Sequence, residues 1–222
     1  LRVIYLLFNE GYYSSIKEEN IRHDICWEAM RLSIFLSNQT KPPRQNICAL
    51  IALMCFHASR FEARTSDENE EDLLYHEQDK SKWNQDLILK GKKYLKLAAS
   101  DKAVSKYHLE AAIAYWHTVD THEKWEHILQ LYNKLLTLEY SPIIAMNRTF
   151  ALAKANSVSE AIQEALKLNL RDNHHYYCLL AELYRLHCEN KKEIEYLERA
   201  FEIAVKKNEK EGIAKKLSKA RS

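Results

Sequence analysis

From about Lys106 onward the apolar residues recur in paired amphipathic segments, with equivalent positions about 34 residues apart, as in Ile128 and Ile162 or Leu131 and Ala165. A period of that length is one helix–turn–helix, which cannot bury its apolar face alone and must stack on its neighbours. The pairs read Tyr107–Thr118 with Lys124–Thr137, Pro142–Ala155 with Ser159–Leu168, and His174–Cys188 with Lys191–Lys206. Ser141 and Pro142 supply an N-cap and a first helical residue. The lysine-rich stretch from Lys206 to Ser222 reads as a solvated capping helix.

Three glycines and three prolines in 222 residues argue against a sandwich, a barrel or a Rossmann fold, all of which need many turns. The expected fold class is therefore all-α: a helical bundle followed by helix-pair repeats. Residues 1–100 are expected to form an N-terminal helical subdomain with an acidic loop at 65–80. Residues 101–222 are expected to form the repeats, packed on the bundle as one continuous unit. Thirteen tyrosines and four tryptophans suit helix pairs with aromatic-lined facing surfaces.

In the first half, the run Leu1, Val3, Ile4, Leu6, Leu7 and Phe8 predicts a short helix over residues 1–9. Gly11 would end it by permitting a positive φ, followed by a polar loop to about Asn20. Glu10 would then sit at a helix C-terminus, where the macrodipole disfavours a carboxylate unless a cation neutralises it. A second helix over residues 21–36 buries Ile25, Ala29, Leu32 and Phe35, with Glu28 and Arg31 spaced to pair at i,i+3. Lys41-Pro42-Pro43 breaks it. The third helix, residues 44–63, has a core stripe of Leu50, Met54 and Phe61. His57 falls inside that apolar face, with Arg60 and Arg64 on its edge. Charges bordering a core need partners, and the chain offers Glu10, Glu28 and Asp79. Thr65 to Lys80 is the most acidic stretch and reads as a solvated excursion, with a short extended piece at Leu73-Leu74-Tyr75. Asp79 or Ser81 caps the next helix, which carries Trp83, Leu87, Ile88, Gly91, Tyr94 and Leu95.

A formal net charge of +2, from 33 basic and 31 acidic residues, is too even for a nucleic-acid reader. Cys26, Cys48, Cys55, Cys178 and Cys188 are odd in number and lack CxxC pairing, which points to reduced thiols and a cytoplasmic protein. No apolar run matches a membrane span, no secretory signal is expected, and the start without methionine suggests a piece of a longer chain. No phosphate loop, HExxH, GxSxG or zinc spacing occurs. His117, His122 and His127 step about 140° around a helix and share no face. His174-His175 has no acidic or cysteine partner at ligand spacing, and Cys178 and Cys188 read as core thiols. Cys55 and Ser59 stand too near His57 in sequence to share its helix face as nucleophiles. No catalysis, cofactor or metal is expected.

The order Ala181, Tyr184, Leu197, Ala200 is small–aromatic–apolar–small and resembles a tetratricopeptide unit, which implies a right-handed α–α superhelix. The blocks VIYLLFNEGYYSS, IRHDICWEAMRL, ALIALMCFHASRFEAR, HEQDKSKWNQDLILKG, YHLEAAIAYWH, Trp125-x-x-Ile128-x-x-Leu131-Tyr132 and SPIIAMNRTFAL resemble, in order, the extended C-terminal part of extracytoplasmic-function RNA polymerase sigma factors. The family commonly has arginines where this chain has Lys80 and Lys82, and lysine lacks the bidentate fork. The resemblance implies a regulatory extension that modulates the upstream sigma regions or their contact with RNA polymerase core, in place of a separate anti-sigma protein. Contact candidates are Asn9, Glu10 and Tyr12 at the first turn, then Glu28, Arg31, His57, Arg60, Arg64, Gln78, Asp79 and Trp83. Tyr107, His117, Asn147 and Arg148, facing the repeat half, form a second group. The alternative function is a small-molecule sensor with a polar pocket around His57, Arg60 and Arg64. A hydrolase with Glu10 or Asp79 as general base is the third.

Overall fold

The computed structural model describes residues 1–13, 22–39, 44–64, 78–99 and 104–222, without the side chains of Tyr13, Arg64 and Asn208. Every regular element among them is helical, so the fold is all-α. The expected loop before Asn20, the proline break at 41–43 and residues 65–77 of the acidic stretch, with its extended piece, lie outside the described residues. Two compact units emerge, Leu1–Asp120 and Thr121–Ser222.

The first unit comprises α1 (Arg2–Tyr13), α2 (His23–Asn38), α3 (Gln45–Ala58), α4 (Phe61–Arg64), a 3-10 turn at Lys80–Lys82, α5 (Gln85–Ala98) and α6 (Lys106–His117). Every residue of α3 from Ile47 to Phe56 is buried. A helix apolar on all faces belongs at the centre of a bundle, and α2, α5 and α6 pack around it. Leu50, Met54 and Phe61 lie in this core as the pattern predicts.

Two sequence expectations are corrected in the first two helices. Helix α1 does not stop at Asn9-Glu10-Gly11 but runs through Gly11 to Tyr13, and no glycine among the described residues has a positive φ. Gly11 serves close approach instead: a Cβ there would stand 2.8 Å from Cys26 Sγ and 2.9 Å from the Arg22 carbonyl oxygen. That contact turns Cys26 inward, and its thiol donates to the Phe8 carbonyl at 3.5 Å. The buried stripe of α2 is accordingly Cys26, Ala29, Met30, Ser33 and Ser37. Leu32 and Phe35, expected in the core, are exposed, Phe35 by 61 %.

Gly91 plays the same part in α5. A Cβ would stand 2.8 Å from Phe56 Cε1, so the bare backbone lets α5 lie close along α3. Asn84, rather than Asp79 or Ser81, caps α5 by accepting from the Leu87 amide. Helix α6, assigned from sequence to the repeats, instead buries Tyr107, Ala111 and Ala114 in the core of the first unit.

The second unit is a run of helices, each packed on its chain neighbour: α7 (Lys124–Leu138), α8 (Pro142–Ala155), α9 (Val158–Leu168), α10 (His174–Leu186), α11 (Asn190–Ile203) and α12 (Lys207–Arg221). Helix α8 also touches α10, one helix pair further on. Ile128, Ile162 and Ala165 are buried, as are Ala181, Tyr184, Leu197 and Ala200. Pro142 opens α8 at its first turn after Ser141, although the Ser141 hydroxyl makes no cap bond. Cys188, expected in the core, is exposed beyond the end of α10 with φ 60°.

Candidate functional site: a buried arginine cluster

Arg60 lies in the tight link between α3 and α4 and is only 4 % exposed. Its Nη2 donates to the Tyr12 hydroxyl at 2.6 Å, and its Nη1 donates to Gln78 Oε1 at 3.4 Å. Nη2 also stands 3.1 Å from His57 Nδ1. A guanidinium can only donate, so Nδ1 is the acceptor and the His57 proton sits on Nε2. The cluster thus joins α1, the end of α3 and the segment entering the 3-10 turn.

Aromatic rings enclose it. Tyr12 stacks on Phe8 at 5.7 Å, lies 5.1 Å from the His57 ring, and meets Phe61 at 5.9 Å. On the far side of Phe61, His23 stacks at 4.5 Å and Trp27 contacts it edge-on at 5.7 Å. Burial against Phe61 lowers the His23 pKa, outweighing the opposing fields of Asp24 and Glu62. Trp83 is buried, and the next residue ties the chain to this corner, the Asn84 amide donating to the Ser59 carbonyl at 2.8 Å.

Tyr12, His57, Arg60 and Gln78 therefore come together, with Trp83 buried in the same core, but the nominated carboxylates do not join them. Glu28 instead accepts from Arg31 at 2.9 Å on the surface, as its spacing predicts. Asp79 caps the 3-10 turn, accepting from the Ser81 amide at 2.9 Å and its hydroxyl at 2.7 Å. Those bonds, the hydroxyl's first, hold its carboxyl below the usual range, the opposite of what a general base needs. Glu10 is exposed and Asn9 half-buried on α1. Arg64 ends α4, its side chain outside what is described. Lys80 donates to Asp120 at 2.6 Å across the surface.

The second group of candidates is divided between the units. Tyr107 and His117 are buried on α6, Tyr107 meeting Tyr5 edge-on at 5.4 Å. In the second unit, Asn147 is exposed on α8. Arg148 Nε donates to Asn133 on α7 at 2.9 Å, and its Nη1 lies 3.6 Å from Glu164 on α9, so it clasps three helices. Nearby in sequence terms only, an open groove of about 460 Å³ is lined by Tyr176, Tyr177 and Tyr196 with Arg171 and Arg199. Sequence reasoning missed one grouping: His174 and His175 on α10 meet Glu209 on α12. The signal that could have found it is the repeat itself, for Glu209 lies about 34 residues after His175, one helix pair further along.

Residues 1–99, which hold the whole arginine cluster, match a family of unknown function, DUF6596. Over 178 residues, 79 % of this chain, the sequence is 32 % identical to an uncharacterized protein, R00370, of Rhizobium meliloti (strain 1021). The matched region is 42 % of that protein, so the chain spans less than half the length of the curated relative it matches. Among the described residues, no helix is long and apolar enough to cross a membrane.

Proposed function

We propose that this chain is the C-terminal regulatory extension of an extracytoplasmic-function sigma factor, acting in transcription initiation from the bacterial cytoplasm and performing no catalysis itself. One observation carries the reading: seven sequence blocks, from Val3 to Leu152, resemble that extension in the same order. The greater length of the Rhizobium meliloti relative supports it, since there the matched region is part of a larger protein.

The surfaces suit a protein partner rather than nucleic acid. Val3 (78 % exposed) and Leu6 (58 %) on α1, with Phe35 on α2, present large apolar side chains to solvent. The tyrosine–arginine groove of the second unit offers the side-chain types enriched at protein interfaces. The Arg60 cluster fixes the elements that carry the first of these surfaces, because loosening it would leave a buried cation without its acceptors. The partners are the sigma regions of the same polypeptide and RNA polymerase core. The extension acts by favouring one arrangement of those regions, and a tenfold change in transcription needs only about 1.4 kcal/mol of differential contact.

Run-off transcription with core polymerase tests this, comparing the parent polypeptide with a version stopped just before Leu1. Transcription that rises or falls about tenfold on removal supports a regulator and gives its sign. Equal transcription from the two refutes it.

A further inference from the structure

We propose that His174, His175 and Glu209 form a binding site for a divalent transition metal of the zinc type, independent of the function proposed above. The three side chains each offer one ligand atom, and those atoms all lie within 4.8 Å of one another. Asn173 sets the two histidines: it caps α10, its Oδ1 accepting from the His175 amide at 2.9 Å and the Tyr176 amide at 3.4 Å. Glu209 comes from the first turn of α12, where its Oε2 faces the Lys206 amide at 3.4 Å.

The distances favour a shared ion over a direct hydrogen bond. His174 Nε2 is buried and makes no hydrogen bond, and it stands 3.7 Å from Glu209 Oε2. That is too long for N–H···O, which ends near about 3.2 Å. Ligand atoms placed about 2.0–2.2 Å from a tetrahedral metal are separated by roughly 3.3–3.6 Å, so the His174–Glu209 pair closes by a few tenths of an ångström, and the widest pair, within 4.8 Å, by about 1.3 Å at most. Two imidazoles and one carboxylate match zinc, cobalt or nickel rather than calcium or magnesium, which select oxygen donors. Lys206 Nζ, 3.5 Å from Glu209 Oε1, competes for the carboxylate, and the N-terminus of α10 adds positive potential. The metal must displace that ammonium contact to bind. Three protein ligands leave a fourth position for water or a donor from a partner.

The test titrates zinc into the whole chain by calorimetry, and cobalt(II) with its visible absorption as a report on coordination. Expected is one equivalent of metal per chain, with affinity weakened about tenfold or more in His174→Ala, His175→Ala and Glu209→Gln. His175 is exposed, so its variant keeps the test valid if the other two fold poorly by circular dichroism. Failure to saturate at one equivalent overturns the proposal. So does unchanged binding in the folded variants, which would assign the metal to other surface histidines.

Discussion

Replacing Tyr12 by phenylalanine removes a single oxygen from the arginine cluster and leaves the ring in place against Phe8 and Phe61. The lost hydroxyl accepts from Arg60 Nη2 at 2.6 Å. A hydrogen bond to a charged group is worth about 1.5–3 kcal/mol, and an orphaned buried donor costs at least as much. His57 Nδ1 faces the same Nη2 at 3.1 Å and retains part of that, so the expected loss is about 2 kcal/mol. Arg60→Met strips the cation together with its bonds to the Tyr12 hydroxyl and the Gln78 amide, and should cost about 3–5 kcal/mol. The double variant should lose less than the two singles summed, by about 1–2 kcal/mol, because both remove the same contact. Urea denaturation followed by tryptophan fluorescence reads this unit well, since Trp27, Trp83 and Trp116, three of four tryptophans, lie in it. A Tyr12→Phe effect within about 0.5 kcal/mol, the usual scatter of surface changes, would refute the pin. So would strict additivity in the cycle.

The end of α10 offers a stabilising change: Cys188 holds φ 60° while the Glu189 amide bonds the Tyr184 carbonyl at 2.9 Å, a helix stop that usually takes glycine. Cys188→Gly relieves about 1–2 kcal/mol of left-handed strain and returns about 0.5–1 kcal/mol through the unfolded chain. Melting of the second unit should therefore rise by about 2–6 °C in calorimetry, with Cys188→Ala giving no such gain. His108 supplies a pH dependence. Its Nδ1 accepts from the Ser105 amide at 3.1 Å and its Nε2 faces the Ala98 carbonyl at 3.1 Å, joining the end of α5 to the start of α6. Burial lowers its pKa, so the unfolded chain binds the extra proton first. Stability is complete above the unfolded value of about 6.5 and declines as pH falls from there toward the lowered folded value. Denaturation midpoints at about pH 5.5 and 7.5 should differ less in His108→Gln than in the native chain, part of the remaining slope coming from His23, which burial shifts the same way.

The second unit was the more legible half because its helices pack mainly on their chain neighbours, so local periodicity places most of the buried stripe. Ile128 and Ile162 are buried for the same local reason. The first unit is organised by non-local approach distances. In sequence Gly11 reads as a turn residue, but a glycine needed for a turn and one needed for a close contact look alike there. Only Cys26 Sγ and the Arg22 carbonyl, about where a Cβ would go, decide between them. The same contact sets the face of α2, so that Ala29 is buried as the helical wheel predicts while Leu32 and Phe35 turn to solvent. Helix α6 was misplaced for a related reason: its helical period is the same whether it pairs with α7 or covers α3.

At the site, the helical wheel located the charge but not its partner. His57 and Arg60 on the border of the α3 apolar face had to be satisfied, and Tyr12 lies within reach because α1 continues past Gly11. Carboxylates were the natural guess for an arginine, yet Glu28 and Asp79 each had a partner two or three residues away. Such local contacts require little additional chain ordering, whereas reaching Arg60 would carry a carboxylate into a site with several kcal/mol of desolvation cost. A phenol and an amide cost less to bury and still accept hydrogen bonds, and among the described residues Tyr12 and Gln78 take that place at Arg60 while Glu28 and Asp79 pair locally. His174, His175 and Glu209 show the converse. Their spacing is meaningless along a single helix and becomes a ligand set only when α10 and α12, one period apart, set their first turns together.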